Sequence, residues 1–219
     1  MNGYLDGMSE IVLAHEGTID KFVGDAVVAF FGAPMDQPDH AERAVDCAIK
    51  LDEFAREFAD DVKRGGFEFG RTRIGVHTGE VVVGNFGGSK RFDYTVFGDA
   101  VNTAARLESA NAHLGTSICV SAATAGRCEK IRFRPIADLG LKGKSASLEV
   151  FEPVTQTESA VCDIAAYEQA FEKLKVGDGS AYNMFEELNA AFPGDVLVNF
   201  HLDRLKAGLT GINVVLETK

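Results

Sequence analysis

The stretch YTVFGDAVNTAAR, residues 94–106, decides how this chain is interpreted. Its second half begins a predicted helix from about Ala100 to Ala112, in which Asn102 and Arg106 are four residues apart. Residues at that spacing lie on one face of a helix, so an amide and a guanidinium reach the same small target. Such a pair suits a phosphoryl group undergoing transfer and the sugar beside it. The alternative interpretations are a helix-capping Asn102 and an Arg106 on a solvated face.

A second cluster lies upstream in KFVGDAVVAFF, residues 21–31. The β-favouring residues on either side of Gly24-Asp25 predict a hairpin with a carboxylate at its turn. Mg²⁺ in phosphate sites usually takes one or two carboxylates and completes its shell with the phosphates themselves. Asp25 is therefore a candidate metal ligand, and the alternative is an ordinary polar turn residue.

Four blocks of the chain together resemble the class III nucleotide cyclases, the family of adenylate and guanylate cyclases. These blocks are Lys21 to Pro34, Arg73 to Gly84, Tyr94 to Glu108 and Leu141 to Lys144. They occur in the family's order and extend the resemblance over roughly residues 1–154. Any one block alone would be weak evidence, whereas four in the same order are specific.

The resemblance implies a role for each matched residue. Asn102 orients the ribose, Arg106 stabilises charge on the α-phosphate, and Asp25 binds metal. Lys21 and Thr95 match the pair that reads the purine, and a lysine at this position goes with adenine. The chemistry agrees, because a lysine donates to adenine N1 but cannot accept from the N1–H of guanine. ATP is therefore the expected substrate.

Further expectations concern the triphosphate, the metals and the assembly. Arg73 and Lys142 match residues that contact the β- and γ-phosphates, and their alternative is a solvated basic side chain; Lys144 is expected to support its loop. The family uses two Mg²⁺ or Mn²⁺ ions and forms its site between two catalytic domains in a head-to-tail dimer. One protomer brings the metal carboxylates, and the other brings the purine pair with Asn102 and Arg106. Because this chain carries both kinds of residue, it is expected to form a homodimer.

The chain also departs from the family at its beginning. The family's first strand, which carries a second metal-binding Asp in a Phe-x-Asp-Ile-like motif, has no match, and the sequence starts inside the helix that follows it. The resemblance thus implies either an internal start within a longer gene or a degenerate cyclase, and in both cases an impaired enzyme. The alternatives are a non-catalytic domain that binds a nucleotide or a partner, and a guanylate cyclase.

Composition limits the remaining classes. The 219 residues are 46% hydrophobic and carry a net charge of −11, which is typical of a globular protein and argues against nucleic-acid binding. The four cysteines lack the spacing of a metal site and are expected to be reduced thiols of a cytoplasmic protein. No apolar run approaches the length of a membrane span, although an upstream segment with a membrane sensor is compatible with the resemblance.

The pattern of elements predicts an α+β fold with a ferredoxin-like βαββαβ core that lacks its first strand. A cyclase domain over residues 1–154, a linker over 155–162 and a helical tail over 163–219 are expected. The tail's apolar spacing predicts short helices and is similar to a single tetratricopeptide pair, so it is either an appendix packed on the domain or a partner-binding repeat. Within the domain, strands are expected over residues 71–76, 80–86, 91–96, 117–120, 132–137 and 147–152, with a loop at 87–89.

Overall fold

The computed structural model describes residues 1–88, 90–140, 147–155 and 162–215. The helices are α1 (Asn2–Ala14), α2 (His40–Arg64), α3 (Asp99–Leu114), α4 (Ala122–Ala125), α5 (Ile164–Lys175), α6 (Ser180–Ala191) and α7 (Val196–Lys206). The strands are β1 (Thr18–Val23), β2 (Ala26–Phe30), β3 (Ile74–Val76), β4 (Val82–Gly88), β5 (Arg91–Phe97), β6 (Ile118–Ser121), β7 (Phe133–Gly140), β8 (Leu148–Pro153) and β9 (Asn213–Val215). The mixed α+β class and the helical C-terminal part are confirmed.

The strands form separate sheets. β1 and β2 make an antiparallel pair, β4 and β5 make another, and the order β3-β6-β8-β7-β9 makes a five-stranded sheet. Among the described strands, β2 pairs with β1 alone and β3 pairs with β6 alone. Within the described residues, β2 and β3 therefore belong to separate sheets, with β3 at the edge of the five-stranded sheet.

Helix α3 packs tightly against β3, and two local features fix its position. A Cβ on Gly75 would lie 2.1 Å from the Ala104 carbonyl oxygen, so only glycine permits this approach of strand to helix. The buried Asn111 amide donates to the Ile74 carbonyl oxygen at 3.0 Å and so ties the end of the helix to the strand. Gly115, with φ +75°, then ends the helix in the left-handed conformation.

The C-terminal helices share a hydrophobic core with the sheet and with α3. The cluster joins Leu107 and Leu114 of α3 to Ile136 of β7, Tyr167 of α5 and Leu197 of α7. Strand β9 then adds to the sheet in parallel with β7. The short helices of the tail were predicted, whereas β9 was not, and the domain boundary at residue 154 stays a prediction.

Several predicted strand boundaries were wrong, among them the start of β3 and the loop between β4 and β5. The strand expected from Arg71 starts at Ile74, and the Arg71 side chain donates hydrogen bonds to the Ser117 hydroxyl and to the Gly115 carbonyl oxygen. Gly87 and Gly88, expected in a loop, extend β4 and pair with Phe92 and Arg91. No helix within the described residues is both long and apolar enough to span a membrane.

Candidate functional site

The first turns of α3 present the amide–guanidinium pair predicted from the sequence. Asn102 is exposed and Arg106 is half-buried, one helical turn apart on the same face. Arg106 makes no hydrogen bond or ion pair with any described residue, so its donors are available to a ligand. The helix N-terminus adds a partial positive charge close to this face. The arrangement is suited to a negatively charged group.

The turn between β1 and β2 carries Asp25. Val23 pairs with Ala26 across it, and Gly24 takes φ +65°, which leaves the Asp25 side chain exposed at the tip. Burial raises the pKa of the nearby Tyr4 hydroxyl, and the Asp25 carboxylate adds to this effect although a hydrogen bond to Thr72 opposes it. Asp25 thus presents an exposed carboxylate at the turn of the β1–β2 hairpin.

Lys21 and Thr95 lie on two strands of the domain, β1 and β5. The two strands are in contact, and Lys21 has a half-exposed side chain. Thr95 is 5% exposed, and its hydroxyl has no hydrogen-bond partner within the described chain. A buried hydroxyl without a partner costs free energy, so this group is suited to a ligand that completes its hydrogen bond.

The predicted triphosphate contacts have different outcomes. Arg73 forms an ion pair with Glu108 of α3, with Nε and Oε1 2.8 Å apart. Both side chains are more than a third exposed, so the pair is weak and exchangeable. Lys142 and Lys144 lie outside the described residues, and their placement stays a prediction.

Sequence reasoning missed Asp20, the residue before Lys21. Its side chain is 1% exposed, and neither carboxylate oxygen has a hydrogen-bond partner within the described chain. The Lys21 Nζ atom lies 3.4 Å from Oδ2. A charged residue in the middle of a predicted strand was the signal for this feature, because charged groups are rarely buried without a partner.

Comparison with known proteins identifies the fold and the family. The model of the adenylate and guanylate cyclase catalytic domain matches residues 2–152. This chain belongs to that family. Adenylate cyclase 1 of Rhizobium meliloti (strain 1021) is 41% identical over 155 residues, which cover 70% of this chain and 23% of the relative.

Solved cyclases share the architecture. The adenylyl cyclase CyaB from P. aeruginosa superposes with a TM-score of 0.65 at 36% identity, covering 72% of this chain and 81% of that one. The guanylyl cyclase Cya2 gives 0.60 at 32% identity, covering 73% and 81%. The chain spans less than a third of the length of the curated relatives it matches.

Several exposed apolar side chains lie on β1, β4 and β5, two of which carry the candidate purine residues. They are large hydrophobic side chains that are at least 49% exposed: Phe22, Val23, Val82, Phe92 and Phe97. Single exposed apolar residues are normal, whereas a group on adjoining hairpins is typical of an interaction surface.

His77 directly follows β3. Its Nδ1 atom lies 2.8 Å from the Ser121 hydroxyl, and the neighbouring Thr78 hydroxyl lies 2.9 Å from that of Thr124. These contacts tie the β3–β4 connection to the start of α4.

Proposed function

We propose that the gene product is an adenylate cyclase that converts ATP into 3′,5′-cyclic AMP and pyrophosphate. The observation that carries this proposal is the presentation of Asn102 and Arg106 on one accessible face of α3, in a chain that belongs to the cyclase family. Their donors address the two parts of a nucleotide that must be held during cyclisation, namely the ribose and the α-phosphate.

Each of these two side chains has a distinct task. The ribose 3′-oxygen attacks the α-phosphorus and loses its proton, while the bond to the β-phosphate oxygen breaks and pyrophosphate leaves. The Asn102 amide holds the ribose in an orientation that aims the 3′-oxygen. The Arg106 guanidinium donates to the α-phosphate oxygens, where negative charge accumulates. Preorganised donors of this kind contribute most where charge develops during the reaction.

Lys21 and Thr95 select the purine. The Lys21 ammonium donates to adenine N1, and the buried Thr95 hydroxyl, which lacks a partner, accepts from the exocyclic amine. Guanine presents an N1–H donor where adenine presents an acceptor, so it would face the ammonium with donor against donor. This arrangement favours ATP over GTP and is the reason that guanylate cyclase activity is the weaker alternative.

The triphosphate and its metal involve other residues. Arg73 exchanges its exposed partner Glu108 for phosphate oxygens, and Lys142 is the second expected phosphate contact. Asp25 fits one Mg²⁺ or Mn²⁺, because a single accessible carboxylate plus substrate phosphates is a common Mg²⁺ donor set. The described residues contain no group of three or more His, Cys, Asp or Glu that could hold a metal by themselves. Bound metal supplies neutralisation of the leaving pyrophosphate and activation of the 3′-hydroxyl.

A homodimer completes the site. The resemblance implies that Asp25 of one protomer meets Asn102 and Arg106 of the other, and the exposed apolar side chains on β1, β4 and β5 are available for burial between two copies. All four cysteines are free thiols, which fits a cytoplasmic domain with access to ATP.

With Asp25 as its one identified metal carboxylate, residues 1–219 alone are expected to be impaired. The rival function is a non-catalytic nucleotide-binding domain, which the same single carboxylate favours. A partner-binding role of the C-terminal helices is a further alternative. Formation of cyclic AMP distinguishes an adenylate cyclase from a non-catalytic nucleotide-binding domain.

The test is production of cyclic AMP from ATP with Mn²⁺, comparing the chain with a form extended upstream through the family's first strand. We expect activity in the extended form, much less in residues 1–219, and little cyclic GMP from GTP. Absence of cyclic AMP from both forms, with ATP still bound, would favour the non-catalytic domain. Equal or greater cyclic GMP production would favour a guanylate cyclase.

A further inference from the structure

Asp20 has the burial of a core residue and the chemistry of a site residue. Its side chain is 1% exposed, yet neither carboxylate oxygen receives a hydrogen bond from a described residue. Five buried side-chain N and O atoms lack partners in the described chain, and Asp20 and Thr95 together supply three of them. Those three atoms lie on β1 and β5, the strands that carry the candidate purine residues, and the other two are Asn189 Oδ1 and His201 Nδ1 in the C-terminal helices.

A local irregularity of β1 brings Asp20 and Lys21 together. Successive side chains of a regular strand point to opposite faces, but the pairing of β1 with β2 shifts between Ile19 and Lys21. Such irregularities re-aim side chains and are frequent beside active sites. Here the Lys21 ammonium lies 3.4 Å from the Asp20 carboxylate, although half of the Lys21 side chain remains exposed. The ion pair therefore joins a buried carboxylate to a lysine that solvent and ligands can reach.

We propose that Asp20 is a positioning residue that fixes the Lys21 ammonium for reading the purine base, and that it thereby determines the preference for ATP over GTP. This inference rests on the proposed function and adds a residue to its specificity. A lysine side chain has many rotamers, and ordering it at the moment of binding costs free energy. A fixed carboxylate beside the ammonium orders it beforehand.

The consequence concerns discrimination more than affinity. A fixed ammonium meets adenine N1 with a donor and opposes the N1–H of guanine. Without Asp20, the Lys21 ammonium can turn toward solvent when guanine is present, which removes the unfavourable contact between two hydrogen-bond donors. Loss of the Asp20 carboxylate should therefore weaken ATP binding and strengthen GTP binding. The size of the change is set by the free energy needed to order the Lys21 side chain.

The stability of the protein distinguishes this role from a structural one. A buried carboxylate without hydrogen bonds costs free energy, so replacing it with the neutral, isosteric asparagine should leave stability unchanged or raise it. A carboxylate retained for the fold would show the opposite sign. Residues retained for function often lower the stability of the folded protein, so a stability gain in Asp20→Asn is the sign expected of a functional residue.

The experiment measures the displacement of a fluorescent ATP analogue by ATP and by GTP, with Mn²⁺, in the extended form of the protein. The variants are Asp20→Asn and, as the matched control, Asp6→Asn, which removes the same charge from an exposed position on α1. We expect Asp20→Asn to reduce the ATP-to-GTP preference by about two- to tenfold, with an unchanged or higher Tm, and Asp6→Asn to change neither.

A double-mutant cycle with Lys21→Met tests whether Asp20 acts through Lys21. In the Lys21→Met background, Asp20→Asn should cause no further loss of preference. An unchanged preference in Asp20→Asn, or equal weakening of both nucleotides with a lower Tm, would overturn the inference and leave the proposed function in place. If the unmodified protein does not prefer ATP, the proposed substrate fails and the inference fails with it.

Discussion

Two buried aspartates, Asp20 in β1 and Asp195 before α7, show how the two ends of this molecule differ. The Asp195 side chain is fully buried, and its Oδ2 accepts from Arg134 Nη1 at 2.7 Å and from the Cys162 amide at 2.9 Å. Its Oδ1 caps α7 by accepting from two backbone amides at 3.0 and 3.1 Å. Asp20 has the same burial with none of these hydrogen bonds.

Arg134 extends the satisfied network of the C-terminal region. Its guanidinium also pairs with Glu152 of β8 at 2.8 Å and lies 5.3 Å from the centre of the Tyr167 ring. The Tyr167 hydroxyl donates to the Pro135 carbonyl oxygen at 2.8 Å. One cation thus links β7, β8, α5 and α7.

The contrast teaches that polar burial has two uses in this chain. Burial alone would raise the pKa of Asp195, but Arg134 and the backbone amides outweigh it and lower that pKa. A network satisfied within the chain fixes the helices on the sheet. Polar groups without partners on β1 and β5 remain able to form hydrogen bonds with a ligand. Mutations in the C-terminal network should therefore lower mainly stability, and mutations at the site should lower mainly activity.

The largest expected effect is on stability, from Arg134→Met. The substitution leaves the buried Asp195 and the partly buried Glu152 without this cation, and removal of one partner from a buried pair typically costs about 3–5 kcal/mol. Urea unfolding measures the change. The control is Arg132→Met. Arg132 Nη2 lies 3.5 Å from Glu168 Oε1 and both side chains are exposed, so this substitution should cost less than about 1 kcal/mol of unfolding free energy. Similar costs for both variants would contradict the contrast between a buried network and surface charge.

The next effect is on activity, from Arg106→Ala. Loss of a preorganised donor to developing charge lowers kcat by about 10²–10³-fold, and because Arg106 has no partner in the described chain, the free energy of unfolding should change by less than about 0.5 kcal/mol. Steady-state cyclic AMP production by the extended form measures kcat. The control is Arg127→Ala, which removes an exposed arginine that follows α4 and should keep full activity. If Arg106 has a structural role instead, Arg106→Ala will lower the Tm.

A pH effect belongs to His201 in the C-terminal core. Burial, assisted by Arg204 and Arg134, lowers its pKa from 6.5 to about 3. The unfolded chain therefore binds a proton that the folded chain does not, and stability is full above pH 6.5 and falls toward pH 3 by up to about 1.4 kcal/mol per pH unit. His201→Phe should flatten this slope between pH 6 and 4 in thermal unfolding. The exposed His113→Gln should preserve it, and a slope equal in all three proteins would refute the assignment.

The smallest effect concerns the exposed pair of Arg73 and Glu108. Glu108→Gln removes the competitor of the triphosphate, so ATP affinity should rise by about two- to fivefold, while the exposed pair contributes less than about 1 kcal/mol to stability. Nucleotide titration measures the affinity. Glu168→Gln, which releases a different surface arginine, should leave it unchanged, and weaker ATP binding in Glu108→Gln would show that the pair instead holds Arg73 in place.

The sequence predicted the parts of the molecule that depend on local patterns. The Gly24-Asp25 turn and the spacing of Asn102 and Arg106 each lie within a few residues, so turn chemistry and helical periodicity predict their geometry. The burial of Asp20 was missed because it follows from a shift of strand register, which depends on the partner strand. The Arg134–Asp195 pair spans 61 residues, and β9 pairs with a strand far upstream, so neither has a local signal.

The most direct test of the account is complementation between two inactive variants of the extended form, Asp25→Asn and Arg106→Ala. If each site takes Asp25 from one protomer and Arg106 from the other, a mixed dimer has one intact site and one doubly defective site. With random exchange of protomers, an equimolar mixture should recover about a quarter of the unmodified cyclic AMP production. A mixture that stays as inactive as its components, while the unmodified protein is active and protomers exchange, would contradict a site shared between two copies of this chain.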